Sequence, residues 1–135
     1  MAYWLMKSEP DAYPWEQLVK DGKGNWDGVR NYQAANNLKA MKKGDLAFFY
    51  HSNIGMEIVG IMEITKEAHP DPSDEKNRFV MVGVKPVQAL NKFVTLKDIK
   101  TDWILNDMAL VKQSRLSVSP VTAKQWKRVL ELSDK

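Results

Sequence analysis

The chain contains no cysteine and only two histidines, His51 and His69, among its 135 residues. The absence of cysteine excludes disulfides, thiolate zinc sites and cysteine nucleophiles. The two histidines lie in separate predicted elements with no metal-ligand spacing between them, so we expect no metal site. A glycine-rich phosphate-binding loop and a Gly-x-Ser-x-Gly nucleophile elbow are also missing from the sequence, and we expect no cofactor.

Long hydrophobic runs are missing as well. No apolar stretch approaches the roughly 20 residues that a membrane-spanning helix needs, and no signal-peptide pattern is visible at the N-terminus. We therefore expect a cytoplasmic protein without a membrane partner. The length of 135 residues suits one domain with a single core, and we place that domain over residues 1–135.

The excess of charge of one sign is small. The formal net charge is +3, and residues 106–135 hold six basic and three acidic side chains, so the whole excess lies in this last segment. Such a basic surface contacts phosphates in nucleic-acid-binding proteins. The same pattern is typical of the solvated side of a terminal helix, and the sequence leaves both interpretations open.

The hydrophobic pattern predicts a mixture of strands and short helices. Apolar runs predict strands over residues 3–7, 46–52, 57–67, 78–87 and 110–118, with a loop over 68–77. Helices are predicted after Pro14, over residues 31–41 with Tyr32 on the apolar face, and after the capping boxes Thr95-x-x-Asp98 and Thr122-x-x-Gln125. Because strands and helices are mixed irregularly, we expect an α+β fold around a curved or barrel-like sheet.

Two polar, partly aromatic runs are the strongest functional signal in the sequence. The first, Lys7-Ser8-Glu9-Pro10, follows the first predicted strand, and the second extends from Trp26 to Gln33. Proteins hold a base outside a duplex by stacking it on aromatic side chains and by hydrogen bonding to its edge. If the two runs face one pocket, the sequence predicts a site of this kind.

Each part of such a pocket has candidate residues. The side chains expected to form its walls are Trp26 with Phe49 or Tyr50. The groups expected to hydrogen bond to the base are Ser8, Glu9, Asn31 and the backbone near Gly28. The basic side chains expected to approach phosphate or sugar are Lys7, Arg30 and Arg115.

A purely structural explanation of these residues also stays open, in which the aromatics form the core and the polar residues cap turns and helices. We expect core positions for Trp4, Trp15 and Trp126. Trp26 differs, because it stands in a polar, glycine-flanked segment that burial alone explains poorly. We therefore expect the loss of Trp26 to separate recognition from folding.

Catalysis has weaker support. Glu9 and Asp27 could meet as paired carboxylates, but Lys7 and Arg30 lie beside them in the sequence, so ion pairs are the simpler explanation. His51-Ser52 is a poor nucleophilic pair, since neighbouring side chains on a strand point to opposite faces. We expect a binding protein rather than an enzyme.

Several sequence blocks resemble the EVE domain family. The two main blocks are YWLMKSEP at residues 3–10 and WDGVRNYQA at residues 26–34. Further similar blocks are KGD at 43–45, FFYHS at 48–52 and MALVKQSRLSV at 108–118. Segment 78–87 departs from the family, since Gly83 stands where an acidic residue is expected and Arg78-Phe79 replaces a tryptophan-containing stretch.

The resemblance implies a PUA-like fold, which is a strongly bent mixed β-barrel with peripheral short helices, related to YTH and ASCH domains. It implies a reader of a modified base, with modified cytosine in DNA as the expected ligand and RNA bases as another. Our leading hypothesis is that this reader is non-enzymatic, and a monomer is favoured although the sequence does not determine the oligomeric state. A general RNA-binding accessory domain and an enzyme acting on a small nucleotide or base are the alternatives. The implied binding residues are Lys7, Ser8, Glu9, Trp26, Gly28, Val29, Arg30, Asn31, Phe49, Tyr50, His51, Ser52, Arg115 and Ser117.

Overall fold

A computed structural model describes residues 2–134 of the chain. Within this range there are six strands and five short helices. The strands are β1 (Tyr3–Ser8), β2 (Gly24–Trp26), β3 (Leu46–His51), β4 (Glu57–Pro70), β5 (Val80–Thr95) and β6 (Val118–Val121). The helices are α1 (Trp15–Asp21), α2 (Tyr32–Ala40), α3 (Leu96–Thr101), α4 (Ala109–Lys112) and α5 (Ala123–Ser133).

The six strands form one mixed sheet in the order β2-β5-β4-β3-β1-β6. Strands β1 and β3 run parallel, and the other neighbours are antiparallel. The register of β4 against β5 shifts at four places. Bulges of this kind bend a sheet and increase its local twist. The predicted α+β fold around a bent sheet is therefore confirmed.

The sheet carries a hydrophobic cluster on each face. On one face Phe49 packs with residues of α1 and α2. On the other, Phe48 stacks on Trp126 of α5 with ring centroids 3.8 Å apart. The division follows from the strand, because successive side chains of β3 point to opposite faces. The core positions predicted for three tryptophans are confirmed, since each is 6% exposed: Trp4, Trp15 and Trp126.

Helix α1 lies directly on the sheet because one strand residue has no side chain. A Cβ atom at Gly60 of β4 would come within 2.5 Å of the Trp15 ring. Glycine is therefore required here for the indole to reach the edge of Phe49, at 5.4 Å between centroids. Both predicted capping boxes are confirmed at α3 and α5, where each threonine hydroxyl accepts from the N3 backbone.

Three local predictions were wrong. Residues 110–118 are not a strand: α4 covers Ala109–Lys112, and only β6 is extended. Leu110 packs in the core from a helical turn, which a short apolar run does not distinguish from a strand. The predicted loop begins too early, since the ladder between β4 and β5 continues to Pro70. Tyr32 is 59% exposed, because α2 buries Ala34, Ala35 and Leu38 instead.

Candidate nucleic-acid interface

Residues from both polar runs line one cleft of about 620 Å³, which we call the main cleft. The end of β1 and the loop that follows border it on one side, and β2 with the next residue borders it on the other. The structure thus brings together parts of the two polar runs, which 15 residues separate in the sequence. The lining residues are Lys7, Ser8, Glu9, Ala12, Tyr13, Asp21, Gly24, Asn25, Trp26 and Asp27.

Trp26 both borders the main cleft and belongs to the core. It lies in β2, opposite Val82 of β5, rather than in a loop. Its side chain is 7% exposed, and its ring meets the edge of Phe49 at 5.3 Å between centroids. Phe49 is completely buried, so it supports Trp26 from behind rather than forming an opposite wall. Trp26 is therefore both a core residue and a residue of the cleft wall, two roles that the sequence analysis treated as alternatives.

Ser8 and Tyr13 hold the loop after β1 in shape. The Ser8 hydroxyl donates to the backbone carbonyl of Tyr13 at 2.7 Å, and the Tyr13 N–H donates to the carbonyl of Glu9 at 2.9 Å. The Tyr13 ring reaches β2, where a Cβ atom at Gly24 would lie 2.8 Å from its hydroxyl oxygen. Burial, with the nearby carboxylates of the main cleft, raises the pKa of Tyr13. The phenol therefore stays protonated and can donate a hydrogen bond.

Three carboxylates give the main cleft its electrostatic character. Glu9, Asp21 and Asp27 line it, and Lys7 is the one basic residue among the lining side chains. Lys7 is turned away from them: its Nζ donates to the backbone carbonyl of Ser114 at 2.7 Å. Burial lowers the pKa of Lys7. The ion pairs predicted for Glu9 and Asp27 with the neighbouring basic residues do not form among the described residues, and the cleft is rich in acceptors.

Tyr50 lies on the face of the sheet away from Trp26. It is 3% exposed and packs with Phe48 in the other hydrophobic cluster. Burial, followed by the charge of Glu57, raises the pKa of Tyr50 to about 12. The Lys7 Nζ lies 6.0 Å from the centroid of its ring. Of the two aromatic residues considered for the second wall, Phe49 alone lies on the side of the main cleft.

His51 and Ser52 support the main cleft from outside its lining. Nε2 of His51 accepts a hydrogen bond from the Trp15 backbone N–H at 3.1 Å, so this nitrogen carries no proton. Burial lowers the pKa of His51, although Glu16 and Glu57 act in the opposite direction. The Ser52 N–H donates to the carbonyl of Ser8 at 2.9 Å. Both residues fix the ends of β1 and β3.

The loop that follows Trp26 is held by a buried carboxylate. Oδ2 of Asp71 accepts from the Gly28 N–H at 2.8 Å and pairs with Arg30 Nη1 at 3.2 Å. Its Oδ1 accepts from the Ser73 N–H and hydroxyl at 2.8 and 2.6 Å. Burial opposes ionisation of this fully buried side chain, but the hydrogen bonds from Ser73, Gly28 and Arg30 outweigh it and lower the pKa of Asp71 to about 2.

A second, smaller cleft of about 270 Å³ adjoins the first through the Lys7–Ser114 hydrogen bond. Arg115 borders it and is exposed. Asn31 also borders it, and its side chain caps α2 by accepting from the Ala34 N–H at 2.9 Å. The residues lining this second cleft are Asn31, Gln33, Gln113, Ser114, Arg115 and Leu116.

Of the two remaining candidate residues, Val29 contributes a buried side chain and Ser117 a backbone carbonyl group. Val29 is 7% exposed and lies in the core beside Trp26. Ser117 uses its backbone carbonyl, which accepts from the Lys7 N–H at 2.9 Å. Both help to fix the walls without lining the main cleft.

The amino-acid sequence matches the family model described as EVE domain over residues 2–132. The chain belongs to the EVE domain family. The predicted family and its PUA-like fold are thereby confirmed. A curated relative of this EVE domain is human thymocyte nuclear protein 1, which is 38% identical over 168 aligned residues covering 99% of this chain and 75% of the human protein.

Solved structures of similar proteins have the same fold. Rpa0253 from Rhodopseudomonas palustris is 51% identical, with a TM-score of 0.94 over 99% of this chain and 94% of that one. Human thymocyte nuclear protein 1 in complex with 5-methylcytosine-containing DNA has a TM-score of 0.89 at 38% identity, over 100% and 99% of the two chains. The YTH domain of Zygosaccharomyces rouxii MRB1 shares the fold at 18% identity, with a TM-score of 0.62 over 98% and 86%.

Two further features were looked for in the described part of this EVE domain, a cluster of metal ligands and a membrane-spanning helix. Residues 2–134 contain no group of three or more histidine, cysteine or acidic side chains placed to hold a metal ion. Across the same residues, no helix has the length and apolar character needed to span a bilayer.

Sequence reasoning missed several of the residues that build the site. Tyr13, Asp21 and Asn25 line the main cleft, and Asp71 holds its neighbouring loop. For Asp71 the sequence does contain a local signal, because an aspartate followed by proline favours a turn in which the carboxylate accepts from the backbone two residues on. Its partner Gly28 lies 43 positions away, and no local pattern identifies such a partner.

Proposed function

We propose that this EVE domain binds nucleic acid and holds a modified base, preferably a modified cytosine in DNA, in the main cleft without altering it chemically. The meeting of the two polar runs around one cleft beside Trp26 is the observation that carries the proposal. Human thymocyte nuclear protein 1, whose structure includes DNA with 5-methylcytosine, supports the same class of ligand here.

The acceptors of the main cleft favour a base with an amino group. Cytosine presents its N4 amino group as a donor, where thymine presents a carbonyl acceptor. Carboxylates accept hydrogen bonds from this amino group, and Glu9 and Asp27 are both exposed and free of ion pairs among the described residues. We propose that these two side chains read the amino edge and that Ser8 and Tyr13 hold the adjoining loop in place.

We assign the contacts with phosphate to basic residues where the two clefts adjoin. Arg115 is exposed in the second cleft, and Lys7 lies between the clefts. Arg30 is 41% exposed and already bound to Asp71, so it offers only its outer surface to a phosphate. We propose a monomer as the binding unit. The cytoplasmic location stays a prediction, and the name of the vertebrate relatives refers to the nucleus.

Calorimetric titration with matched oligonucleotides tests the proposal. Single-stranded DNA and RNA of one sequence, with either cytosine or 5-methylcytosine at the central position, are titrated into the protein. We expect tighter binding of the methylated DNA. Glu9→Gln and Asp27→Asn should each weaken that binding about tenfold, since the hydrogen bond to a carboxylate becomes a weaker one to a neutral amide oxygen. Glu75→Gln is the matched control, because Glu75 is exposed and outside both clefts.

Two results would overturn this function. Equal affinity for methylated and unmethylated strands, with a steep dependence on salt, would favour general RNA or DNA binding by the basic surface of α5. Lys124→Glu with Lys127→Glu tests that surface, whereas Arg128 is unsuitable because it pairs with Asp102 at 2.8 Å. A change in the mass of the oligonucleotide after incubation would show an enzyme instead.

A further inference from the structure

Tyr32 presents an aromatic ring to solvent beside the proposed binding site. It is the first residue of α2, and 59% of it is exposed. One side of the ring is covered by Phe79, with centroids 5.0 Å apart and an angle of 32° between the planes. Within residues 2–134, Phe79 is the one aromatic side chain that contacts this ring. A partly covered, partly open aromatic ring is a surface on which another flat ring can stack.

The Phe79 ring against which Tyr32 packs is itself held in place by its neighbours. Phe79 is 8% exposed, and its backbone N–H donates to Asp74 at 2.7 Å. The Arg30 guanidinium lies 5.4 Å from the Phe79 ring centroid. Arg30 is itself fixed, because it binds Asp71 at 3.2 Å and the Ser73 hydroxyl at 2.9 Å. Little conformational entropy is lost when a ligand stacks on a surface that is already ordered.

The same contacts connect Tyr32 with both clefts. Asp27 lines the main cleft, and the next residue, Gly28, donates to the Asp71 carboxylate that also holds Arg30. Asn31 and Gln33, on either side of Tyr32 in sequence, line the second cleft. Tyr32 is therefore connected to the edge of the main cleft by a chain of contacts, from Phe79 through Arg30 and Asp71 to Gly28.

We propose that Tyr32 stacks on the nucleobase next to the one held in the main cleft. A base that leaves its stack to enter a pocket exposes the faces of its neighbours, and an aromatic side chain replaces the lost stacking. The Arg30 guanidinium, next to Phe79 beneath the ring, complements a nucleic-acid backbone, and the nearby Asp74 carboxylate is occupied by three backbone N–H groups. This inference rests on the proposed function and adds to it a second subsite for a flanking base.

Two ligands of different length allow binding at the two subsites to be measured separately. One is 5-methyl-2′-deoxycytidine monophosphate, which fills only the main cleft, and the other is a trinucleotide with the same base at its centre. We expect Tyr32→Ala to weaken trinucleotide binding about tenfold and to leave mononucleotide binding unchanged. Tyr32→Phe keeps the ring and should bind both ligands like the original protein. Trp103→Ala, at an aromatic residue 76% exposed on the α3 side, is the matched control.

The outcomes distinguish this inference from the function on which it rests. Unchanged trinucleotide binding by Tyr32→Ala would overturn the flanking subsite while leaving the proposed function intact. An equal loss for both ligands would also overturn it, because Tyr32 would then act through the shape of the main cleft. If the original protein does not distinguish methylated from unmethylated trinucleotides, the proposed function fails first, whatever Tyr32 does.

Discussion

Asp71 and Gly28 lie 43 positions apart in the chain and are joined by a 2.8 Å hydrogen bond from the Gly28 N–H to Oδ2 of Asp71. The same oxygen pairs with Arg30. This buried carboxylate thus attaches the segment after Trp26 to the turn between β4 and β5. The position of Asp27, at the edge of the main cleft, depends on an acidic residue outside the cleft.

Replacing that carboxylate should loosen the whole segment. Asp71→Asn should lower the free energy of unfolding by about 2 kcal/mol, which corresponds to the difference between a pKa of 3.8 and one of about 2. Arg30→Gln should cost less, because Arg30 is 41% exposed and Gly28 and Ser73 would still bind the carboxylate. Urea unfolding measures both variants, with Glu75→Gln as control. Equal stability of Asp71→Asn and the original protein would contradict the stabilising role of the Asp71 carboxylate.

The same residue predicts a dependence of stability on acid. The pKa of Asp71 is about 2 in the folded protein against 3.8 without the fold. Its stabilising contribution is therefore fully present above the higher value and disappears as the pH falls through the lower one. We expect the stability difference between the original protein and Asp71→Asn to shrink over that interval. The free energy of unfolding of both proteins is measured at successive pH values. A constant difference between them would argue against the lowered pKa of Asp71.

His51 should stay neutral into mildly acidic solution. Its Nε2 accepts from the Trp15 N–H, and burial lowers its pKa below the ordinary 6.5. Because the folded state disfavours the charged ring, stability is expected to fall as the pH decreases below 6.5 and through the folded pKa. Nitrogen chemical shifts from nuclear magnetic resonance should show an unprotonated Nε2 at neutral pH. A proton on that nitrogen would refute the hydrogen bond.

Trp26 is a poorer probe of recognition than the sequence predicts. It is 7% exposed and packs on Phe49, so Trp26→Ala should lower the free energy of unfolding by about 3–5 kcal/mol. Trp26→Phe keeps an aromatic ring at the floor of the cleft and should cost about 1–2 kcal/mol. Thermal unfolding measures the loss of stability in each variant, and the oligonucleotide titration measures the loss of binding. A folded Trp26→Ala protein with original stability and no binding would restore the prediction from the sequence.

Local patterns determined much of the fold. Successive side chains of a strand point to opposite faces, which requires Phe48 to point away from one of Phe49 and Tyr50. The clusters on the two sides of the sheet agree, with Phe48 in one and Phe49 in the other. The capping boxes at Thr95 and Thr122 marked two helix starts correctly. These features depend on residues no more than a few positions apart, so the sequence contains all the information that they need.

The sequence by itself determined the family, the mixed character of the fold and the two polar runs that border the main cleft. The tertiary structure alone decided that Asp71 holds Gly28, that Tyr50 lies on the opposite face of the sheet, and that Tyr32 is open to solvent. Each of these depends on where a distant segment packs. The energy of a hydrogen bond or a buried ring comes from a partner that no local pattern of residues specifies.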